Sequence, residues 1–401
     1  MNITGIITEY NPFHKGHLYH LNSSINLTNS EGTVCIMSGN FVQRGGPALV
    51  DKWTRTKMAL DNGVDLVIEL PTFYALSSAE FFAKGSIKIL DSLGVIDSIF
   101  FGSECGNIDS LSLISKTLLE ETPQFKTYLK ENLNLGITYA KAREMTLIKV
   151  LENYNLTDIL NNSNNILGIE YIKNLMKINS SIKPVTFKRE GSKYNDKVLN
   201  NDFSSATSIR KSLKENKSLE DLERYLPKSS YEILLDYKNN NKEYTFEDSM
   251  FDYIKYRLIS KSINFNNIFE IKEGLDNKLL KEIYNSNSYN ELLLNVKSKR
   301  YTYTKISRIL TQIFLNFDKY SFEELSKDEY LYARVLGFNN IGQKILKNIK
   351  KNSSIPIITK VNNKDINPLL NLDIESTALY SLLNPCIDPK ADYLNSPIIK
   401  L

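Results

Sequence analysis

Over the first half of the chain, short apolar runs alternate with stretches that are apolar at every third or fourth position. Ile3-Thr4-Gly5-Ile6-Ile7 is brief and β-branched, the signature of a buried strand, and Leu18, Leu21 and Ile25 follow at helical spacing. Thr33-Val34-Cys35-Ile36-Met37 predicts a second strand, ending at Ser38-Gly39. Asp51 suits the N-cap of a helix over Lys52 to Asn62, and Gly63 suits its stop. Asp65 to Pro71 reads as a third strand closed by proline, Ser77 to Leu93 as an amphipathic helix, and Asp97 to Phe101 as a fourth strand running into Gly102-Ser103-Glu104. Residues 108 to 177 are helical in pattern, including Thr138 to Asn153 and Ile169 to Ile178, and Pro184 to Lys188 supplies a fifth strand.

This alternation predicts an α/β fold whose parallel sheet is covered on both faces. Ligands bind such sheets outside the carboxyl ends of the strands. That rim gathers the loop His14–His20, the loop Gln43–Gly46, Pro71 and Gly102-Ser103-Glu104, and a fifth parallel strand would bring in Arg189 and the hydroxyl-rich Ser204–Ser208 segment. From about residue 216 the strand signal fades, and Tyr231–Tyr237, Phe246–Ile259, Tyr289–Val296 and Thr304–Phe314 are apolar at helical spacing. The expected division is therefore an α/β domain over 1–215 and a mainly helical region over 216–401. Ile355 to Val361 is expected to be one strand of a small appendage.

Composition changes this picture little. A length of 401 residues allows two or three domains, and a net charge of +4 does not announce nucleic acid, so any such binding must come from a local patch. Two basic stretches stand out. Lys297 to Arg308 holds five cations, two tyrosines and no acid, and Lys344, Lys347, Lys350 and Lys351 form a second stripe. Cys35, Cys105 and Cys386 are too far apart for a metal motif and read as inert thiols of a reducing compartment. No apolar run approaches membrane-spanning length and the first residues lack a signal pattern, so a cytoplasmic location is expected, with no membrane contact.

All three histidines of the chain lie in Glu9-Tyr10-Asn11-Pro12-Phe13-His14-Lys15-Gly16-His17-Leu18-Tyr19-His20. His14-x-Gly16-His17 falls where the first strand turns into the first helix. A helix start offers unpaired N–H groups and a positive partial charge, which suit phosphate, and the two imidazoles would add donors. Gly16 would let the backbone approach a ligand closely. Zinc does not fit, because no further Cys or His completes a tetrahedral set, and no metal is assigned to these histidines. Taken alone, so short a motif also fits structural histidines.

The strings EYNPFHKGH (9–17), MSGNFVQRGGPA (37–48), KWTRTKMAL (52–60), GVDLVIELP (63–71), FFGSE (100–104), NNILG (164–168), SATSIRKSL (205–213) and KRYTYTKISRIL (299–310) carry a resemblance. The chain resembles the HxGH nucleotidyltransferase superfamily and, within it, the bacterial tRNA(Met) cytidine acetate ligases. The match is dense in the first half and thinner in the second. The resemblance implies a Rossmann-like nucleotidyltransferase parallel sheet with a C-terminal, mainly helical, tRNA-binding region. It implies an enzyme that activates acetate with ATP, accompanied by Mg²⁺, to acetyl-AMP. The acetyl group then passes to N4 of the wobble cytidine of elongator tRNA(Met). It carries an ATP site onto Ile7, Thr8, Glu9, Tyr10, Asn11, Pro12, Phe13, His14, Lys15, Gly16, His17, Leu18, Tyr19 and His20, and onto Gly102, Asn165 and Arg189. His14 and His17 would act as transition-state donors, with His20 a bystander to the chemistry. Ser208 and Arg210 match the superfamily's second phosphate motif, and Gln43 and Arg44 would line the acetate pocket. Lys15 departs from the usual residue at a variable position of the motif. The residues alone leave alternatives open: Asn165 as a helix cap, Arg189 as a surface ion pair, the Ser204–Ser208 hydroxyls as plain capping, and 297–308 as a solvated helix face. An adenylyltransferase acting on a small metabolite, or a tRNA-binding protein with a vestigial nucleotide site, would use the same first domain. No protein partner is inferred.

Overall fold

The structure, a computed structural model, describes residues 1–152, 156–189, 204–215, 217–272, 274–298, 301–362 and 367–401. Strands β1 (Ile3–Thr8), β2 (Gly32–Ser38), β3 (Leu66–Leu70), β4 (Ser98–Ser103) and β5 (Lys183–Lys188) form a parallel sheet in the order β5-β4-β1-β2-β3. The chain builds outward from β1 to β3 and then returns to β1's other side for β4 and β5. That reversal puts a topological switch point between β1 and β4, where a crevice opens at the strands' carboxyl ends.

Side chains of successive strand residues point to opposite faces, and both faces are covered here. Val34, Ile36, Leu66, Ile68, Ile99 and Phe101 join a core with Phe82, Ile87 and Leu90 of helix Ala79–Ser92 and Ile169 and Ile172 of helix Ser163–Lys177. Cys35, Met37, Val67 and Phe100 join a second core with Leu21 of helix Lys15–Thr28, Met58 and Ala59 of helix Lys52–Asp61, and Ile209 of helix Ala206–Lys214. Asp51 caps helix Lys52–Asp61, its Oδ1 accepting from the backbone N–H groups of Trp53 and Thr54 at 3.0 Å each.

The later chain departs from the expected division. β6 (Ala333–Asn339) pairs antiparallel with β3, and β7 (Ile357–Ile358) and β8 (Ile398–Lys400) both pair with β6. The 355–361 run is thus an extension of the main sheet, and the small appendage expected there is corrected. The stretch 216–332 is helical among the described residues, but β6, β7 and β8 return to the sheet that begins at residue 3. Ala-Arg-Val-Leu-Gly-Phe-Asn hides as a strand because a charge and a glycine interrupt it. Gly337 is required by crowding, since a Cβ there would lie 2.8 Å from the Thr56 methyl group and 3.0 Å from the Ile398 carbonyl oxygen. Arg334 is buried and its charge is met from remote segments. Its Nη1 lies 2.6 Å from Asp392 Oδ1 and 3.4 Å from Glu69 Oε2, while Lys52 Nζ lies 2.7 Å from both Glu69 Oε1 and Asp392 Oδ1. Burial pushes the Asp392 carboxyl up, but Lys52 and Arg334 outweigh it and hold the group below its ordinary value.

Candidate functional site

At the end of β1 the backbone turns through Tyr10, a buried residue held in the left-handed region at φ 47°. Such a conformation costs a non-glycine residue of order 1–3 kcal/mol and persists only where the surroundings impose it. Helix Lys15–Thr28 then starts with His14 as its N-cap. Gly16 N–H donates to His14 Nδ1 at 3.0 Å, and His14 N–H donates to His17 Nδ1 at 3.4 Å, a reciprocal cap in which two histidines replace the usual hydroxyl and carboxylate. The rings stack with centroids 3.8 Å apart. A Cβ on Gly16 would sit 2.8 Å from His14 Cε1, so glycine is what lets the imidazole fold back onto the helix.

An accepting Nδ1 leaves the His14 proton on Nε2, a tautomer assigned from the hydrogen bond. Burial, then the charges of Arg189 and Arg210, lower the His14 pKa to about 3. Burial and Arg189 lower His20 to about 3 as well. His17 falls well below its ordinary value through burial and the neighbouring His14, Arg189 and His20. All three are neutral donors at pH 7. In the ligand-free protein, ring-proton or nitrogen chemical shifts of His14 and His20 should therefore show no protonation between pH 8 and 5; a midpoint near 6.5 for either would refute this. The sign for stability follows. The unfolded chain takes up these protons as pH falls below 6.5 and the folded chain does not, so the contribution is full above pH 6.5 and is lost toward pH 3.

The histidines line an open cleft at the switch point. Arg44, Arg189 and Arg210 also line it, against Glu9 as its one carboxylate among the described residues. With neutral histidines the lining carries two net positive charges, which favours a polyanion. Arg210 Nη1 donates to the Asn11 carbonyl at 2.7 Å, and Arg44 Nη1 lies 3.3 Å from Thr207 Oγ1. Gly102 keeps the end of β4 open, since a Cβ there would meet Arg189 Cγ at 2.8 Å. Phe82, Phe101, Leu167 and Tyr171 supply an apolar wall.

Of the residues singled out in the sequence, Ile7, Thr8, Glu9, Tyr10, Asn11, His14, Gly16, His17, His20, Gln43, Arg44, Gly102, Arg189 and Arg210 meet on this cleft. Pro12, Phe13, Lys15, Leu18, Tyr19, Asn165 and Ser208 do not line it. Phe13 is in the core, and Lys15 and Tyr19 are exposed. Asn165 is committed elsewhere: its Oδ1 accepts from Glu104 N–H at 2.9 Å and Cys105 N–H at 3.1 Å, and its amide donates to the Ile159 carbonyl at 3.0 Å. Its neighbour Asn164 reaches the wall. The Ser208 hydroxyl bonds within its own turn, to Ser204 at 2.6 Å and to the Ser205 carbonyl at 2.8 Å, while Ser205 caps the helix and lines the cleft.

Arg55 was not a candidate from sequence, yet it braces the site from below. Fully buried, it donates to the carbonyls of Glu9 at 2.7 Å, Ser38 at 3.0 Å, Val50 at 3.1 Å and Gly39, tying the ends of β1 and β2 together. The Gln43–Gly46 loop is braced by the basic run's helix, Tyr303–Phe314, since Ser307 Oγ donates to the Gly45 carbonyl at 2.7 Å. Arg308 is not available to a phosphate there. Its guanidinium pairs with Glu270 at 2.9 and 3.1 Å, and Lys299 and Arg300 lie outside the described residues. Lys344, Lys347, Lys350 and Lys351 are exposed on helix Asn340–Asn352, which begins beside Gly32 and Asp65 at the amino ends of β2 and β3, away from the cleft. Among the described residues no helix is long and apolar enough to cross a membrane.

Comparison with known proteins fits this geometry. The model of the HIGH nucleotidyl transferase family matches residues 1–393. The tRNA(Met) cytidine acetate ligase of Clostridium novyi (strain NT) is 52% identical over 399 residues, covering 99% of each chain. The chain belongs to the tRNA(Met) cytidine acetate ligase family. The ligase of Clostridium kluyveri (strain ATCC 8527) is 50% identical over 405 residues, 100% of this chain and 99% of its own. Among solved structures, apo Thermotoga maritima TmcAL (form I) superposes with a TM-score of 0.93 at 34% identity, covering 100% of this chain and 99% of that one. The same protein bound with alpha-thio ATP (form II) superposes at 0.89 and 33% identity, with the same coverage. In this acetate ligase family member the overall layering is that of the two solved TmcAL structures.

Proposed function

We propose that this protein is a tRNA(Met) cytidine acetate ligase that forms acetyl-AMP from ATP and acetate in the cleft at the β1–β4 switch point. It then passes the acetyl group to N4 of the wobble cytidine of elongator tRNA(Met). The observation that carries this reading is the convergence of two neutral, stacked histidines at a helix start with three arginines in one cleft. Attack of acetate on the α-phosphate concentrates negative charge on phosphate oxygens, and preorganised donors in a shielded site are the main requirement for stabilising it.

Strand order suggests the polarity of the ligands. Gly102 and Arg189 stand over β4 and β5 and would receive the nucleoside. His14, His17 and the first-turn N–H groups follow β1 and would receive the reacting phosphate. Gln43 and Arg44 follow β2 and would receive the acetate. Arg210, anchored on the Asn11 carbonyl, is poised for the departing pyrophosphate. Asn165 then acts by fixing the Glu104–Cys105 turn beside the nucleoside. Ser208 acts by shaping the helix start that presents Ser205 and Thr207. Mg²⁺ would arrive with ATP on its phosphate oxygens, because the one carboxylate among the described lining residues makes no protein cage for it. The tRNA would approach over the side where the 297–308 run abuts the Gly45 loop, leaving residues 216–332 to hold the RNA body. A tRNA substrate and free thiols suit the cytoplasm.

The test is ATP–pyrophosphate exchange with and without acetate, followed by transfer to unmodified tRNA(Met). Acetate-dependent exchange and formation of N4-acetylcytidine are expected. Exchange that ignores acetate, or tRNA that stays unmodified, would overturn the reading.

A further inference from the structure

The acetyl-transfer step must dispose of a proton. The N4 amine of cytidine shares its lone pair with the ring, and it becomes strongly acidic once it bonds to a carbonyl carbon. A group in the cleft has to take that proton for the product amide to form. The three histidines are poorly suited. Their imidazoles donate well, but burial and the nearby arginines make each a very weak proton acceptor. The arginines carry their charge throughout and accept nothing.

We propose that Glu9 is the proton acceptor of acetyl transfer. Among the described residues that line the cleft it is the single carboxylate. It sits at the end of β1, between the histidine helix start and the Gln43–Arg44 loop. Its backbone carbonyl is clamped by buried Arg55 at 2.7 Å, and its Oε1 accepts from the Gln43 backbone N–H at 2.8 Å. Its Oε2 makes no hydrogen bond among the described residues. One oxygen therefore fixes the side chain against the loop expected to hold the acyl group, and the second remains for a proton.

The step balances as follows. The N4 nitrogen of cytidine bonds to the carbonyl carbon of acetyl-AMP, and the carbonyl electron pair moves onto oxygen. That pair returns as the bond from carbon to the phosphate oxygen breaks, and AMP leaves with the bonding electrons. The N4 proton passes to Glu9 Oε2, giving the neutral acid and N4-acetylcytidine. Formation of acetyl-AMP involves no such proton, because acetate attacks as an anion.

This asymmetry supplies the test, which rests on the acetate-ligase reading. Glu9→Gln keeps an oxygen to accept from Gln43 N–H and removes the base. Two rates are measured on the full-length protein: acetate-dependent ATP–pyrophosphate exchange, and single-turnover acetyl transfer to tRNA(Met) from acetyl-AMP formed beforehand on the enzyme. Transfer should fall about 100-fold or more beyond any fall in exchange, the usual contribution of a positioned base. Glu9→Asp should recover part of the transfer rate. If both rates fall together, Glu9 serves loop position or phosphate-bound Mg²⁺, and the proposal fails. If transfer keeps pace with exchange at the wild-type ratio, the leaving phosphate takes the proton and the proposal also fails. The wild-type protein reports separately: no acetate-dependent exchange there would sink the ligase reading itself, whatever the variant does.

Discussion

Replacing His17 with alanine is expected to lower acetate-dependent ATP–pyrophosphate exchange by two to three orders of magnitude, with tRNA affinity near that of the unaltered protein. Loss of one preorganised donor to a developing oxyanion commonly costs about 10²–10³ in rate. His17 suits this role because it is neutral, stacked on His14 at 3.8 Å, and set in the first turn of helix Lys15–Thr28. His14 would be a less clean probe, since the cap bond its Nδ1 accepts from Gly16 N–H, at 3.0 Å, is shorter than the 3.4 Å bond that His17 Nδ1 accepts from His14 N–H. His17→Asn, which keeps an N–H donor, should retain more exchange than His17→Ala. Exchange within about threefold of wild type for the alanine variant would remove His17 from the reaction. A loss of tRNA binding equal to the loss of exchange would mean that the helix start itself had collapsed.

The second large effect concerns stability. Arg334→Met should destabilise the protein by about 3–5 kcal/mol, the usual cost of stripping one partner from a buried ion pair. Lys52 and Arg334 balance Glu69 and Asp392 in a site where all four residues are buried. Without Arg334, one of the two carboxylates is left uncompensated. Asp373 lies in the same field, and burial followed by the charge of Glu69 already raises its pKa to about 7. The variant should unfold at a lower denaturant concentration, and Arg334→Lys, which keeps the charge without the planar fork, should fall between the two. A loss below about 1 kcal/mol would show that β6 is held to the sheet without help from these charges.

The first five strands and the helices between them were legible because each carries its own local signal. Strands such as 33–37 are unbroken β-branched and apolar runs, and helices such as 52–61 carry a polar cap at the start and a glycine just past the end. The HxGH turn was legible for the same reason, since it lies where a strand ends and a helix begins. β6 was not legible: its Arg334 and Gly337 look wrong for a strand until Asp392, Glu69, Thr56 and the Ile398 carbonyl are brought beside them. Arg55 was equally hidden, an arginine on an otherwise ordinary helix whose four carbonyl partners come from three separate segments.

Sequence by itself therefore determined the α/β framework, the histidine-bearing helix start and the family to which the chain belongs, because these depend on short-range order. Tertiary structure alone decided that β6, β7 and β8 complete the same sheet. It decided that Arg308 is spent on Glu270 and that Asn165 is spent on a turn. It also decided that the three histidines are held neutral. Each of these depends on which distant charges and carbonyls share one desolvated space, and only the folded chain specifies that.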